Sequence, residues 1–221
     1  MLVNGKNFNN IKVHSQYSIC EGAVKIDELA EFCKVKKIKT LGLADSYNLC
    51  GALEFSEKLS KVGTHPIVGT QINLLASNVI GKITLYAKSE KGYKNLTKLS
   101  SLSYLKKNET THPACLLEDL LSNNEDLILL TGNYRNFFGK LLNKNKVKDV
   151  EKILSSLKLY FKDRIYIEIQ RHNEVQEKNF ENHFLNISKK LKIPLIATQE
   201  VFYLNKDMYE AHDALVCIGE K

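Results

Sequence analysis

The stretch IKVHSQYSICEG, residues 11–22, begins as a buried strand should and then delivers a histidine, two serines, a tyrosine and an acid within eight residues. Neutral imidazole and carboxylate are natural ligands for Zn²⁺ or Mn²⁺, so His14 and Glu21 beyond a strand have the makings of a metal site. Lys12 lies two residues before His14 and therefore on the same face of a strand. Its ammonium repels a metal. The stretch reads as a metal site with one ligand replaced.

In parallel α/β folds the functional groups collect at the C-terminal ends of strands. That rule adds Asp45 and Ser46 after a second strand, Gln71 on a third, Lys82 opening a fourth and Asn133 after a fifth. Gln170 to His172 follow a sixth strand, and Glu200 with Phe202 a seventh. For a multi-metal centre this set is thin: one good histidine, two glutamates, several amides and two lysines. There is no Gly-rich phosphate loop, no GxSxG nucleophile turn and no clustered histidine set. Asp45, Ser46 and Asn48 precede an apolar-periodic run, which is the chemistry of a helix N-cap and makes Asp45 a capping candidate. Tyr17 and Ser18 are expected to satisfy backbone groups at the rim of the site. His172 reads equally as a neighbour of the site or an exposed loop residue, while His65, His112, His183 and His212 have no partner pattern and read as surface or helix residues.

The elements that must position these groups are short apolar runs alternating with helical patterns. The runs are residues 10–13, 39–44, 66–75, 82–87, 127–132, 164–170 and 193–198. Between them lie amphipathic stretches such as Ala52, Phe55, Leu59, Val62, then Val150, Ile153, Leu157, Phe161, and Phe180, Phe184, Ile187, Leu191. This alternation implies parallel strands covered by helices, and seven strands in one domain's length fit a barrel at least as well as an open sheet. KKNETTHPAC, residues 106–115, is the best loop candidate. No repeat, linker or internal domain boundary stands out, and VCIGEK reads as a helix still in progress, as in a fragment of something longer.

At 221 residues the chain has ample core for independent folding, and 43% hydrophobic with 26% charged residues is the balance of an ordinary globular protein. No apolar run approaches a membrane span, and MLVNGKNFNN lacks the layout of a signal peptide, so a cytoplasmic location with no membrane partner is expected. Five widely spaced cysteines without a CxxC pair argue against a zinc knuckle or a disulfide framework and for buried free thiols. The net charge of +7 suits a partner with phosphates, yet the cations are overwhelmingly lysine without an Arg/aromatic cluster, which suits any solvated surface equally.

VHSQYSICEGAVKIDELAEFCKVKKIKTLGLADSYNLCGALEF, then HPIVGTQIN, GYKNLTKLSS, YIEIQRH, IPLIATQEVFYL and EAHDALVCI resemble the N-terminal PHP (polymerase and histidinol phosphatase) domain of bacterial DNA polymerase III alpha subunits. The resemblance runs in order over nearly the whole chain. It implies a distorted seven-stranded (β/α) barrel, a single PHP domain over residues 1–221, at the front of a much longer polymerase whose other domains are absent. Metal-binding members carry HxH, a nearby acid, DH, a Glu, further histidines and a closing DxH, which hold up to three metals for phosphoester hydrolysis. By motif, HxH reads here Lys12, Val13, His14; the acid is Glu21; DH reads Asp45, Ser46. The strand glutamate becomes Gln71, the next histidine Lys82, the following ligand Asn133, and DxH reads Glu200, Val201, Phe202.

Most ligands are thus replaced, two by cations and one by the apolar volume of Phe202. Bare carboxylates around a missing metal would repel one another, whereas lysines in the ligand shell neutralise them. Lys12 and Lys82 are therefore expected to stand in for metal charge beside Glu21 and Glu200, and truncating either to Ala to cost roughly 3 kcal/mol or more if the pair is buried. The resemblance implies a DNA-replication protein whose parent is a DNA-directed DNA polymerase, a nucleotidyltransferase, with this chain catalytically inactive, without catalytic residues, metal or cofactor. It further implies a structural role that includes docking the proofreading exonuclease subunit, with DNA reached through the holoenzyme. The competing expectation is an active metal-dependent phosphoesterase or 3′–5′ exonuclease, for which at most His14, Glu21, Asp45 and Glu200 are available.

Overall fold

The computed structural model describes residues 8–105 and 112–219. They pack as two compact units, one formed by the residues up to Thr70 together with those from Gln199 onward, the other by Gln71–Thr198. Unit 1 begins with β1 (Lys12–Val13), α1 (Ile26–Lys36), β2 (Thr40–Ser46), α2 (Ala52–Lys61) and the first half of β3 (His65–Ala76). Unit 2 continues through β4 (Val79–Ala87), α3 (Glu90–Leu105), β5 (Cys115–Leu116), α4 (Leu117–Ser122) and β6 (Leu127–Leu130). It then adds α5 (Phe137–Asn143), α6 (Val147–Phe161), β7 (Ile165–Ile169), α7 (Val175–Leu191) and β8 (Leu195–Ala197). The chain returns to unit 1 in β9 (Glu200–Val201) and α8 (Tyr209–Gly219).

In unit 1 the strand order is β3-β2-β1-β9. β1 lies parallel to both neighbours, with Val13 opposite Leu43 on one side and Lys12 opposite Glu200 on the other. TLGLADS is buried along almost its whole length, as a parallel strand covered on both faces must be. Gly42 lets the chain segment before β1 approach, since a Cβ there would sit 2.2 Å from the carbonyl oxygen of Ile11. The core gathers Val13, Leu41, Leu43 and Val201 from the strands with Leu29 and Cys33 of α1 and Phe55 and Leu59 of α2. Helical spacing places Ala52, Phe55 and Leu59 on one buried face.

Unit 2 orders its strands β8-β7-β6-β4-β3, with β5 paired alongside β3. Here the expectation of an all-parallel arrangement needs correction. β3 and β4 form a hairpin through Ser77 and Asn78, at φ 49° and 56°, the left-handed pair that a two-residue turn compatible with strand twist demands. β4 then runs antiparallel to β6, Thr84 opposite Leu130, before β6, β7 and β8 resume parallel pairing. All seven expected strands are present, and the two-residue β5 and β9 are additional. Phe137, Phe138 and Phe184 meet edge to face in sequence, and Phe184 stacks on Phe180, filling this core between α5 and α7.

Of the expected loop 106–115, residues 106–111 lie outside the described residues, while Cys115 already belongs to β5. All five cysteines are free, but only Cys33 and Cys115 are buried; Cys50 and Cys217 are exposed, contrary to the expectation of buried thiols throughout. Burial pushes the Cys33 thiol up to about 11. No helix among the described residues is long and apolar enough to cross a membrane.

Candidate functional site

The parallel pairing of β1 with β9 puts the first and last motifs side by side in unit 1. Lys12 and His14 are both 0% exposed, and the Lys12 Nζ lies 2.9 Å from Glu200 Oε1. His14 Nε2 approaches the same oxygen only to 3.7 Å, and both ring nitrogens of His14 lack a hydrogen-bond partner among the described residues. The ring instead stacks on Phe202, centroids 4.4 Å apart and planes 12° from parallel. Burial pushes the Glu200 carboxyl up, but the attraction of the Lys12 ammonium, with the neighbouring His14 ring, outweighs it and holds the group well below the usual carboxylate range.

Asp45 does not cap α2, whose N-cap is Gly51 and carries no side-chain cap. Its fully buried carboxylate instead organises the loop after β1: Oδ1 accepts from the Ser15 amide at 2.6 Å and the Ser18 hydroxyl at 2.7 Å, and Oδ2 accepts from the Ser15 hydroxyl at 2.7 Å. The expectation fails because the partners lie 27 to 30 residues upstream. Ser18 Oγ in turn accepts from the Ser46 amide at 3.1 Å, as expected of a rim residue. The Tyr17 hydroxyl goes instead to Glu54, donating at 2.8 Å. The Ser46 hydroxyl donates to Glu21 Oε2 at 2.5 Å, and His212, read as an unpartnered helix residue, places Nε2 2.8 Å from the Glu21 carbonyl and its ring against Phe202 and Tyr203.

The remaining expected residues belong to unit 2. Gln71 on β3 is buried, Lys82 on β4 is half-buried, and Asn133 after β6 is buried. Asn133 donates to Gln170 Oε1 at 2.7 Å, and Gln170 Nε2 donates to Glu168 Oε1 at 2.7 Å and to Thr198 Oγ1 at 3.0 Å. Glu168 was missed in the sequence although it is the centre of this network: it is fully buried, its Oε2 accepts from the Gly132 amide at 3.1 Å, and Thr198 also donates to Oε1. An acid two positions before Gln170, on the same strand face, was the available signal. His172 is exposed, its Nε2 3.5 Å from Gln170 Oε1. A second missed group is Arg135, whose guanidinium meets Glu174 at 2.6 Å at the start of α7. Glu174 and Glu177 form a capping box there. Among the described residues no group of three or more His, Cys, Asp or Glu is gathered as for a metal.

Comparison with known proteins places this geometry. The DNA polymerase III subunit alpha of Rickettsia bellii is 36% identical over 213 residues, covering 96% of this chain and 18% of that protein. Its Caulobacter vibrioides counterpart is 34% identical over 227 residues, covering 98% of this chain and 20% of that protein. The Vibrio cholerae counterpart is 29% identical over 216 residues. The chain thus spans about a fifth of the length of these relatives. Two solved structures share the α/β fold at a TM-score of 0.58, each over 94% of this chain and 96% of the other: a candidate metal-dependent phosphoesterase from Bifidobacterium adolescentis, 9% identical, and an amidohydrolase from Chromobacterium violaceum, 10% identical. The PHP domain model matches residues 10–172. On this match and the identity with the N-terminal region of polymerase III alpha subunits, the chain belongs to the PHP domain family.

Proposed function

We propose that this chain is the N-terminal PHP module of a cytoplasmic replicative DNA polymerase III alpha subunit, its hydrolytic metal site degenerate and its role structural. The observation that carries the reading is the Lys12 ammonium 2.9 Å from Glu200, both at positions where the family motif has metal ligands. The donor set of unit 1 does not fit a divalent cation: a lysine cannot ligate, the Phe202 ring covers His14, and both oxygens of Asp45 already accept protein hydrogen bonds. On this reading Lys12 supplies in place the positive charge that a metal would have brought, Lys82 supplies a second cation at its motif position in unit 2, and Gln71 and Asn133 replace charged or imidazole ligands with amides.

The partners that follow are the remaining domains of the polymerase chain, the proofreading exonuclease subunit, and DNA through the assembled holoenzyme. Nucleotidyl transfer belongs to the parent and not to this module. Elemental analysis tests the reading on protein purified without chelator and then incubated with Zn²⁺ and Mn²⁺. Less than about a tenth of an equivalent is expected, because uncompensated cation–cation contact with Lys12 opposes metal entry. Two or more tightly held equivalents would overturn the reading in favour of a metal-dependent phosphoesterase or 3′–5′ exonuclease, with His14 and Glu200 as the first residues to substitute.

A further inference from the structure

The α1–β2 and α2–β3 turns of unit 1 lie side by side. Thr64 Oγ1 donates to the Ile38 carbonyl at 2.8 Å, and the His65 amide donates to the Lys39 carbonyl at 2.8 Å. Both helices therefore deliver their C-termini to one surface, at the opposite ends of the strands from His14 and Asp45. Lys34, Lys36, Lys37, Lys39 and Lys61 stand there exposed, with exposed His65 among them. The acids on the flanking turns are Glu31, which meets Lys34 at 3.8 Å, and Glu57, so five lysines face two carboxylates, an excess of three positive charges before His65 is counted. Helix dipoles account for Lys34, Lys36 and Lys61, which sit in or beside a last turn. They also account for Lys37, the residue that caps α1, but not for Lys39, which lies three residues beyond the end of the helix.

We infer that this lysine surface binds the phosphate backbone of nucleic acid. Five flexible ammoniums spread over two adjoining turns match a repeating line of single negative charges. Among the described residues of the patch there is no Arg fork, and the buried Thr64 hydroxyl is already spent on the Ile38 carbonyl, so the contact is electrostatic and independent of sequence. An acidic protein segment would present carboxylates to the same lysines. Nucleic acid is favoured because, among the described residues, Val35, 66% exposed, is the one exposed large apolar group on the patch, too little for the apolar anchors a protein partner needs.

Fluorescence anisotropy of the 221-residue chain with a labelled oligo(dT) single strand and a labelled DNA duplex, titrated across a range of salt, tests this. The neutralised variant Lys36→Gln/Lys39→Gln/Lys61→Gln is expected to weaken binding at least tenfold at low salt and to flatten the slope of log K against log salt by about 2, at roughly 0.7–0.9 per lost phosphate contact. The control Lys144→Gln/Lys148→Gln/Lys152→Gln removes the same charge from exposed sites in unit 2 and is expected to change binding less than twofold. Equal losses in the two variants would overturn the inference, since net charge alone would then act. So would an unmodified chain that binds neither DNA but captures a labelled poly-glutamate. Circular dichroism identifies any unfolded variant, and in that case the salt slope of the unmodified chain decides: a slope weaker than about −1 contradicts a multi-lysine contact.

Discussion

Lys12 is a fully buried lysine whose ammonium has Glu200 as a close counter-charge. Removing one partner of a buried pair leaves the other uncompensated, so Lys12→Ala is expected to destabilise the chain by roughly 3–5 kcal/mol. For a protein of this size that is a fall in melting temperature of about 6–20 °C. The apolar double variant Lys12→Met/Glu200→Leu is expected to recover most of the loss, because burying neither charge removes the desolvation cost as well. A Lys12→Ala protein that melts with the unmodified one would sink the charge-replacement reading. The pair also sets an acid limit. Glu200 is depressed in the folded state, so its contribution is complete above the ordinary carboxylate range and is lost as pH falls through the folded value. The stability gap between the unmodified chain and Lys12→Ala, followed by urea unfolding, should therefore narrow as pH drops below about 4. Motif spacing brought Lys12 to one notional site with Glu21 and Glu200 without choosing between them, and the pairing of β1 with β9 is what selects Glu200. Asp45 was misread because its nearest sequence neighbours suggest a helix start while its real partners, Ser15 and Ser18, belong to another loop. Glu168 escaped although its spacing from Gln170 offered a signal, because a solvated acid in a strand shows the same spacing.

Two of the helices end by a device that hides their boundaries. α1 and α7 both close on a lysine in the left-handed region, Lys37 at φ 53° and Lys192 at φ 52°. Each is followed by an isoleucine whose amide reaches back, Ile38 to the Cys33 carbonyl at 3.0 Å and Ile193 to the Ser188 carbonyl at 3.1 Å. This is the arrangement glycine ordinarily terminates, with the apolar residue beyond the cap tucked against the protein. Lysine there carries the steric cost of a Cβ at positive φ. Lys37→Gly and Lys192→Gly are thus each expected to raise stability by up to about 1 kcal/mol, offset in part by glycine's greater freedom when unfolded, as chemical denaturation would show. If either lowers stability by that amount, the backbone conformation assigned to the cap is wrong. Apolar runs made seven strands legible, the two-residue β1 through the longer run over residues 10–13, whereas β5 and β9 are two residues each and have no period to detect. The Ser77–Asn78 hairpin was missed because neither residue is the glycine that usually marks such a turn.

At the scale of the chain, the α/β class and the PHP family were readable from residue order, because strand and helix patterns alternate and the motif fragments appear in sequence. The division at Thr70 and Thr198 was not, since β3 runs through the first boundary without any change of composition. Unit 2 is one continuous length of chain, while unit 1 is made of two separated pieces. The register Lys12 to Glu200 spans 188 residues, so β1 acquires its β9 neighbour only after that length of chain has been made. At a synthesis rate of about 5–20 residues per second, the nascent chain carries a buried-type lysine without its counter-charge, and a strand with one edge uncovered, for roughly 10–40 s. Chain growth therefore imposes an order of assembly: the continuous unit can finish while the first unit waits with that edge bare.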